Sequence, residues 1–553
     1  MKTIASFSKK LLSGESPWLA RGMLCLAVLA AYASIWPNEF LFNDGILIVQ
    51  DKFLRHWSDL PDLLTHLSNA GYGLPGGFYR PVGMLIYFLI YQIFGALTIA
   101  FHTLNLALHV LNVCLLYHFG LRAGFRKGAV FVAALLWALH PLHTSNVAYM
   151  SSTAELLWGT LCLGGLITLL PDFTPRKIWR AMAFFVLALG CKESAVVFPA
   201  LAAVTFFFVS KGWLKFSAYL KMWPLWLLSA CYITFWLLFM HKTGYSIQDV
   251  GDPNYTSSFV NRVLTCFAAL PVYARLIVWP TGLHIEWLFP TVSTLLAWQP
   301  LAGVLLVGIC LLYIFTRYKS RGGLALSFGL LWFAVALSPY TGIVVPVDAV
   351  ISEGWMYVPA MGLFLGAAQA AAGFFEKKQN AAKLLVLVLA LSLGLATFFN
   401  NEVWRIPETL YLNNVQNQDW NRGERNYILG LFYLQRGDFD QAIGQFHELA
   451  DHPDASSAHW LASAHMWLAM AWLHAEIKNN NITPEALLHA LPSSRHTPEA
   501  IRELGKALQA NPDFYQVHRI LAVLYRYQGN KQMADFHDRK AADIIQKQEK
   551  LNR

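Results

Sequence analysis

Ionisable residues are scarce in this chain, and those beside apolar segments gather at five places. Only 14% of the 553 residues are charged. A charge next to membrane-depth apolar sequence is costly and usually has a partner or a task. Asn43-Asp44 comes first. Asp44 suits a general base or a metal ligand, although Asn-Asp-Gly is also a turn sequence. Arg80, in Tyr79-Arg80-Pro81, opens an apolar segment; its planar fork matches phosphate oxygens, and its length also suits snorkelling. His140, His143 and Glu155 follow, without the spacing of a known metal-ligand helix. Hydrogen bonding to a substrate or to neighbouring loops is therefore expected of them. Lys192-Glu193 reads as a phosphate-facing lysine oriented by its neighbour, or as a buried ion pair. Glu353 and Tyr357, with Asp348, close the set, and Arg275 and Glu286 frame another loop. If Asp44, Arg80, His143, Lys192 and Glu353 converge on one face, they line a polar cavity.

The elements that must position these groups are membrane helices. Hydrophobic residues make up 56% of the chain, and mean hydropathy is +0.41. A spanning helix needs about 20 mostly apolar residues. Thirteen apolar segments appear, near 22–37, 81–97, 99–120, 129–143, 155–170, 179–191, 194–210, 222–240, 262–280, 298–316, 323–340, 355–375 and 383–400. Six basic clusters punctuate them: Lys9/Lys10/Arg21, Arg122/Arg126/Lys127, Arg176/Lys177/Arg180, Lys211/Lys215/Lys221, Arg317/Lys319/Arg321 and Lys377/Lys378/Lys383. The positive-inside rule puts all six in the cytoplasm. Two helices then fit each interval, except that 81–97 and 262–280 are left over. These two are predicted to be re-entrant or interfacial, giving about eleven crossings and an extracytoplasmic C-terminus. Loops 38–80, 140–154, 241–261, 281–297 and 341–354 fall outside. Within the first, Gln50–Leu67 carries apolar residues at helical spacing and predicts one amphipathic surface helix.

The net charge of +9 is spread over short loops, which argues against a nucleic-acid face. The seven cysteines show no CxxC spacing, so neither a zinc site nor a disulfide framework is expected. The apolar run after Arg21 lacks a small-residue cleavage site and reads as an uncleaved first helix. Beyond Glu402 the composition becomes that of a soluble helical protein. Leu429-Gly430, Tyr433, Gly437, Phe439, Ala442, Phe446 and Pro453 follow the tetratricopeptide pattern. Ala507-Leu508, Asn511-Pro512, Leu521-Ala522, Tyr525, Gly529 and Ala534 repeat it, with a degenerate unit between. Such stacks present a concave surface to polypeptides. Walker A, dinucleotide, HExxH and GxSxG patterns are absent from the sequence. An enzyme working outside the cytoplasm lacks a nucleotide-sugar supply and would draw on a lipid-phosphate-activated donor.

FLFNDGILIVQ at 40–50, FYRPVGMLIY at 78–87, FHTLNLALHVLN at 101–112 and LHPLHTSNVAYMSSTAELL at 139–157 form an ordered series. CKESAVVFPAL at 191–201, WPTGL at 279–283, VPVDAVISEGWMYVPAMG at 345–362 and VWRIPETLY at 403–411 continue it. Together with the repeats, the series resembles the transmembrane and tetratricopeptide repeat-containing protein O-mannosyltransferases of the GT-C superfamily. The resemblance implies an all-α protein: a GT-C-type transmembrane domain over 1–400 and an extracytoplasmic repeat α-solenoid over 401–553. It implies inverting transfer of a sugar from a polyprenyl- or dolichyl-phosphate donor to an acceptor hydroxyl, Ser or Thr of a protein. The repeats would present that protein. No cofactor is clearly required, and a divalent metal is compatible. An acidic residue of the first outside loop is the family's base, which maps to Asn43-Asp44. The family tends to be acidic at both positions and to carry Arg where Gly354 stands here. Asp44 is thus assigned as base, and Arg80 and Lys192 as the donor-phosphate clamp. Asn43, His140, His143, Glu155, Glu193, Glu353 and Tyr357 are assigned to the sugar and acceptor pocket. The alternatives are a non-catalytic scaffold for envelope assembly and a lipid or glycan transporter. A bacterial inner membrane with the repeats in the periplasm is expected, with an endoplasmic reticulum membrane and lumenal repeats as the other placement. Sequons at Asn254 and Asn481 would matter only in the second.

Overall fold

A computed structural model describes residues 17–68, 70–72, 78–211, 219–243, 258–285, 287, 289–347, 349–417, 422–451, 458–480 and 496–551. Glu286, Asp348, Lys215 and both sequons lie outside the described residues. The chain is all-α; among the described residues the one β contact is a Trp287–Ile351 bridge. It divides into two compact units, Met1–Thr409 and Leu410–Arg553.

The helices of the first unit are α1 (Pro17–Ala31), α2 (Leu60–Thr65), α3 (Pro81–Phe94), α4 (Thr98–Arg122), α5 (Lys127–Ala138), α6 (Thr144–Ala148), α7 (Thr153–Leu169) and α8 (Pro175–Leu189). They continue as α9 (Phe198–Val209), α10 (Trp223–Thr243), α11 (Phe259–Val278), α12 (Trp298–Arg317), α13 (Arg321–Leu337), α14 (Tyr357–Lys377) and α15 (Gln379–Val403). α16 (Pro407–Asn417) begins at the junction. Each of the thirteen apolar segments contains helix. Among the described residues, seven helices are long and apolar enough to cross a membrane, or eight if the pair α5 and Pro141–Ala148, bent by 54°, counts as one span. The most lipid-ready surfaces are α12 and α15, whose apolar windows are only 11% and 6% buried.

The connections sort onto two faces. On one, Arg122 donates to Leu170 O at 2.6 Å, Phe125 stacks on Phe208, and the Arg126 N–H reaches Gln369. This basic face gathers basic clusters of the sequence. On the other, the Asn43 N–H donates to the Tyr149 hydroxyl at 3.0 Å and Asn146 Nδ2 to Gly354 O at 3.0 Å. This loop face gathers several of the residues expected to do chemistry, Asn43 and Asp44 among them. Both irregular segments belong to it along their length. From α3, Tyr87 bonds Met150 O and Gln92 bonds Leu54 O. From α11, Arg262 bonds Ile343 O near one end, and Ile277 O accepts from His140 near the other. α11 is long enough to cross by length and composition, yet loop-face segments bond it at both ends.

Gln50–Leu67 is not one amphipathic helix. It consists of 3-10 turns at Lys52–Leu54 and Trp57–Asp59 followed by α2. Extended backbone at Asp51 and His56 interrupts it, and Pro61 in the first turn of α2 cannot continue a preceding helix. Leu54 and Leu63 turn inward while Trp57 stays exposed.

A buried polar stripe on α4 holds the irregular backbone. His102, Asn105, His109 and Asn112 share one helix face and are fully buried. They meet Asn38 O, Tyr149 O, Ala138 O and Leu156 O at 2.9–3.1 Å. Non-helical backbone inside a membrane domain is tolerated only where protein groups satisfy it. The stripe supplies those groups to the bends around α5 and α6. α13 and α14 instead pack through small residues. A Cβ on Gly362 would lie 2.1 Å from the Trp332 ring, and one on Gly366 would lie 2.5 Å from Ala325 O.

The second unit is a succession of antiparallel helices: α17 (Arg422–Arg436), α18 (Phe439–Asp451), α19 (Ala458–Asn480), α20 (Thr497–Ala510), α21 (Tyr515–Tyr527) and α22 (Lys531–Leu551). The same turn closes α17–α18 and α21–α22. Gly437 and Gly529 adopt positive φ. The Asp438 and Asn530 N–H groups bond Tyr433 O and Tyr525 O, each at 2.9 Å. Buried Ala442 and Ala534 sit at matching places.

Candidate active site on the loop face

Asp44 stands just before a short π-helical turn, Gly45–Val49, and is buried. The Ser151 N–H and Oγ–H donate to its Oδ1 at 2.7 and 2.5 Å, and the Leu41 N–H to its Oδ2 at 3.0 Å. Burial pushes this carboxyl up to about 7; the bonds from Ser151 and Leu41 pull the other way. Its proton affinity thus sits near neutrality, where a general base works best. Asn43 is exposed beside it, its N–H on Tyr149.

Arg80 caps α3 and lies over the Phe78 ring at 4.1 Å. Its Nε and Nη2 grip Glu193 at 3.1 and 2.8 Å. Lys192 pairs with Glu155, and the Tyr340 hydroxyl lies 3.0 Å from Glu155 Oε1 and 2.8 Å from Ser194 Oγ. The structure therefore joins two cations and two carboxylates that the sequence spreads over more than 100 positions. The quartet has no net charge when all four ionise. Among the described residues, Arg80 keeps its Nη1 edge unbonded, and Lys192 keeps donors beyond the one used by Glu155. Tyr87, on the α3 face between them, feels the charges of both Asp44 and Arg80.

Glu353 is buried at a separate corner. Its Oε1 accepts from the His284 N–H at 2.6 Å and from Trp287 Nε1 at 3.2 Å. Burial holds the His284 imidazole down at about 4, so it is neutral. Glu353 thereby ties His284 and Trp287 to one carboxyl oxygen, and Trp355 two residues on stacks against Tyr340 at 5.0 Å. Gly354 packs 3.2 Å, measured from an added Cβ, from the Asn146 amide, which leaves little room for a longer residue there.

His140, His143 and Tyr357 are placed elsewhere. His140 holds Ile277 O, and its Nδ1 accepts from the Leu142 N–H. His143 is buried among Trp137, His109 and Tyr357 rings, and neither of its nitrogens has a hydrogen-bond partner among the described residues. Tyr357 bonds His109 and Asn112. These three belong to a closed core behind the site rather than to its wall. Among the described residues no three His, Cys, Asp or Glu side chains gather closely enough to hold a metal ion.

Ser151, Tyr340 and Ser194 join the site without having been expected there. Tyr340, at the end of an apolar segment, had a signal in its position. The two serines had none, because their roles arise from long-range approach.

No protein-family model and no solved structure matches the chain. Curated relatives do. The human protein O-mannosyl-transferase TMTC3 is 24% identical over 539 residues, covering 90% of this chain and 57% of its own length. The human protein O-mannosyl-transferase TMTC4 is 22% identical over 457 residues, covering 71% and 61%. The fruit-fly Tmtc3, 23% identical, covers 77% and 54%. The chain spans a little over half the length of the curated relatives it matches. Along most of its own length, this chain is similar to the TMTC-like protein O-mannosyl-transferases, the family its motifs resemble.

Proposed function

We propose that the chain is a membrane glycosyltransferase moving a sugar from a polyprenyl-phosphate donor to a protein hydroxyl, with inversion. The observation that carries this reading is a carboxylate poised near neutrality on the same face as a cation pair that, among the described residues, keeps free donors. Asp44 takes the proton from the acceptor Ser or Thr as its oxygen attacks the anomeric carbon. The bond from that carbon to the phosphate oxygen breaks on the opposite side. Negative charge grows on the departing polyprenyl phosphate, and the open edges of Arg80 and Lys192 receive it. Glu193 and Glu155 hold the two cations in aim, and Tyr340 fixes Glu155. The membrane lets the lipid chain of the donor reach the site without leaving the bilayer. The helical second unit, read as tetratricopeptide repeats on the extracytoplasmic side, presents the acceptor protein.

The test uses purified full chain, radiolabelled polyprenyl phosphate mannose, and secreted or envelope proteins from cells lacking this gene as acceptors. Label should enter Ser or Thr of an acceptor with wild type. It should not with Asp44→Asn, while thermal melting in detergent remains unchanged. Full transfer by the variant would remove Asp44 as base. A wild-type chain that binds acceptor protein but transfers no sugar would favour the scaffold.

A further inference from the structure

The basic face holds a cavity that the loop-face chemistry does not use. It lies between the starts of α8 and α10 and measures about 320 Å³, lined by Ile178, Trp179, Leu220, Lys221 and Trp223. That is within the range of roughly 300–1,000 Å³ typical of small-molecule sites. Trp179 and Trp223 are 57% and 58% exposed. Tryptophan is enriched at the membrane–water interface, where its apolar body and N–H serve both sides. The slot continues onto apolar surface: Val186 and Leu187 on α8 and Trp226 and Leu227 on α10 are all exposed.

One cation lines the slot and two more lie on the adjoining turns of α8. Lys221 lines it, and Arg176 and Arg180 flank Trp179 on the first turns of α8. All three are exposed, and none forms an ion pair among the described residues. The neighbouring Lys177 differs, being bonded to Asp172 and Leu170 O. The slot thus combines an apolar floor, two interfacial aromatics and unneutralised positive charge at one level of the membrane. Basic pockets between helices at that level select anionic headgroups.

We propose that this slot binds an anionic glycerophospholipid of the leaflet that meets the basic face. The headgroup phosphate sits on Lys221, Arg176 and Arg180, and an acyl chain lies between Trp179 and Trp223. The site is distinct from the donor site and stands whether or not the chain transfers sugar.

The experiment is native mass spectrometry of the detergent-purified full chain, titrated with phosphatidylglycerol or with phosphatidylcholine of identical acyl chains. Wild type should bind phosphatidylglycerol more tightly. Arg176→Gln/Arg180→Gln/Lys221→Gln should lose that preference, by roughly fivefold per cation removed, and leave phosphatidylcholine binding unchanged. Trp179→Ala/Trp223→Ala should weaken both lipids, and Lys221→Arg should keep the preference. Inorganic phosphate at millimolar concentration should not displace the lipid. Equal binding of the two lipids to wild type, or undiminished phosphatidylglycerol binding by the triple variant, would overturn the proposal. Displacement by phosphate would do so too, by making the site one for free anions.

Discussion

The two ends of α8 carry opposite arrangements of charge. Just past its C-terminus, Lys192 and Glu193 are engaged by Glu155 and Arg80. In its first turns, Arg176 and Arg180 are exposed and touch no carboxylate among the described residues. Both pairs are basic or acidic residues beside apolar helix, and hydropathy alone does not separate them. Solvent does. A charge taken out of water costs several kcal/mol unless a partner replaces the lost hydration. Charges left at the interface keep their water and need none. Internal pairing therefore marks where the fold has built something, and unpaired charge marks where it meets lipid headgroups or solvent.

The comparison can be broken most forcefully at Asp44. Asp44→Asn removes the proposed proton acceptor and should lower transfer by about 10²–10⁴-fold, measured with the radiolabelled donor. Next in size is Lys192→Met, which leaves Glu155 buried and uncompensated. It should cost about 3–5 kcal/mol of stability, read from thermal unfolding in detergent, and adding Glu155→Gln should recover most of that. A smaller effect is pH. The Asp44 carboxyl is raised to about 7, and only its ionised form accepts a proton. Transfer should fall as pH drops through 7, by roughly thirtyfold between pH 8 and 5.5, and a rate flat over that window would exclude Asp44. In the second unit, a Cβ on Gly430 would lie 2.5 Å from the Phe446 ring. Gly430→Ala should therefore destabilise by about 1–3 kcal/mol, followed by circular dichroism. Smallest is Arg176→Gln, which should change stability by less than about 0.5 kcal/mol. A large loss there would mean that the basic face is built as tightly as the loop face.

Much of the architecture was legible because it is local. Apolar runs with basic punctuation located the long helices of the membrane unit, while short helices such as α2 and α6 lie in segments that read as loops. Repeated Gly, Tyr and Ala positions exposed the matching turns at Gly437 and Gly529. Gln50–Leu67 breaks into turns because Pro61 lacks the N–H that a continuous helix needs, which apolar spacing alone does not register. The site was less legible. Lys192 and Glu193 are adjacent in sequence, yet each binds a residue of a different segment. Local periodicity says nothing about which distant carboxylate arrives. His143 suits a site by residue type, but the rings of Trp137 and Tyr357 close over it. The spacing of His102, Asn105, His109 and Asn112 was a readable signal, since four polar side chains on one face of an apolar helix require a polar neighbour.

That stripe also makes α4 a ruler for the domain. Each of its four side chains is matched to a carbonyl at one height along the helix axis. One inserted or deleted residue within 102–112 would turn everything beyond it by about 100° and shift it by about 1.5 Å. Several matches would fail at once. Loop lengths around α4 can therefore drift over evolutionary time, while the number of residues between His102 and Asn112 cannot.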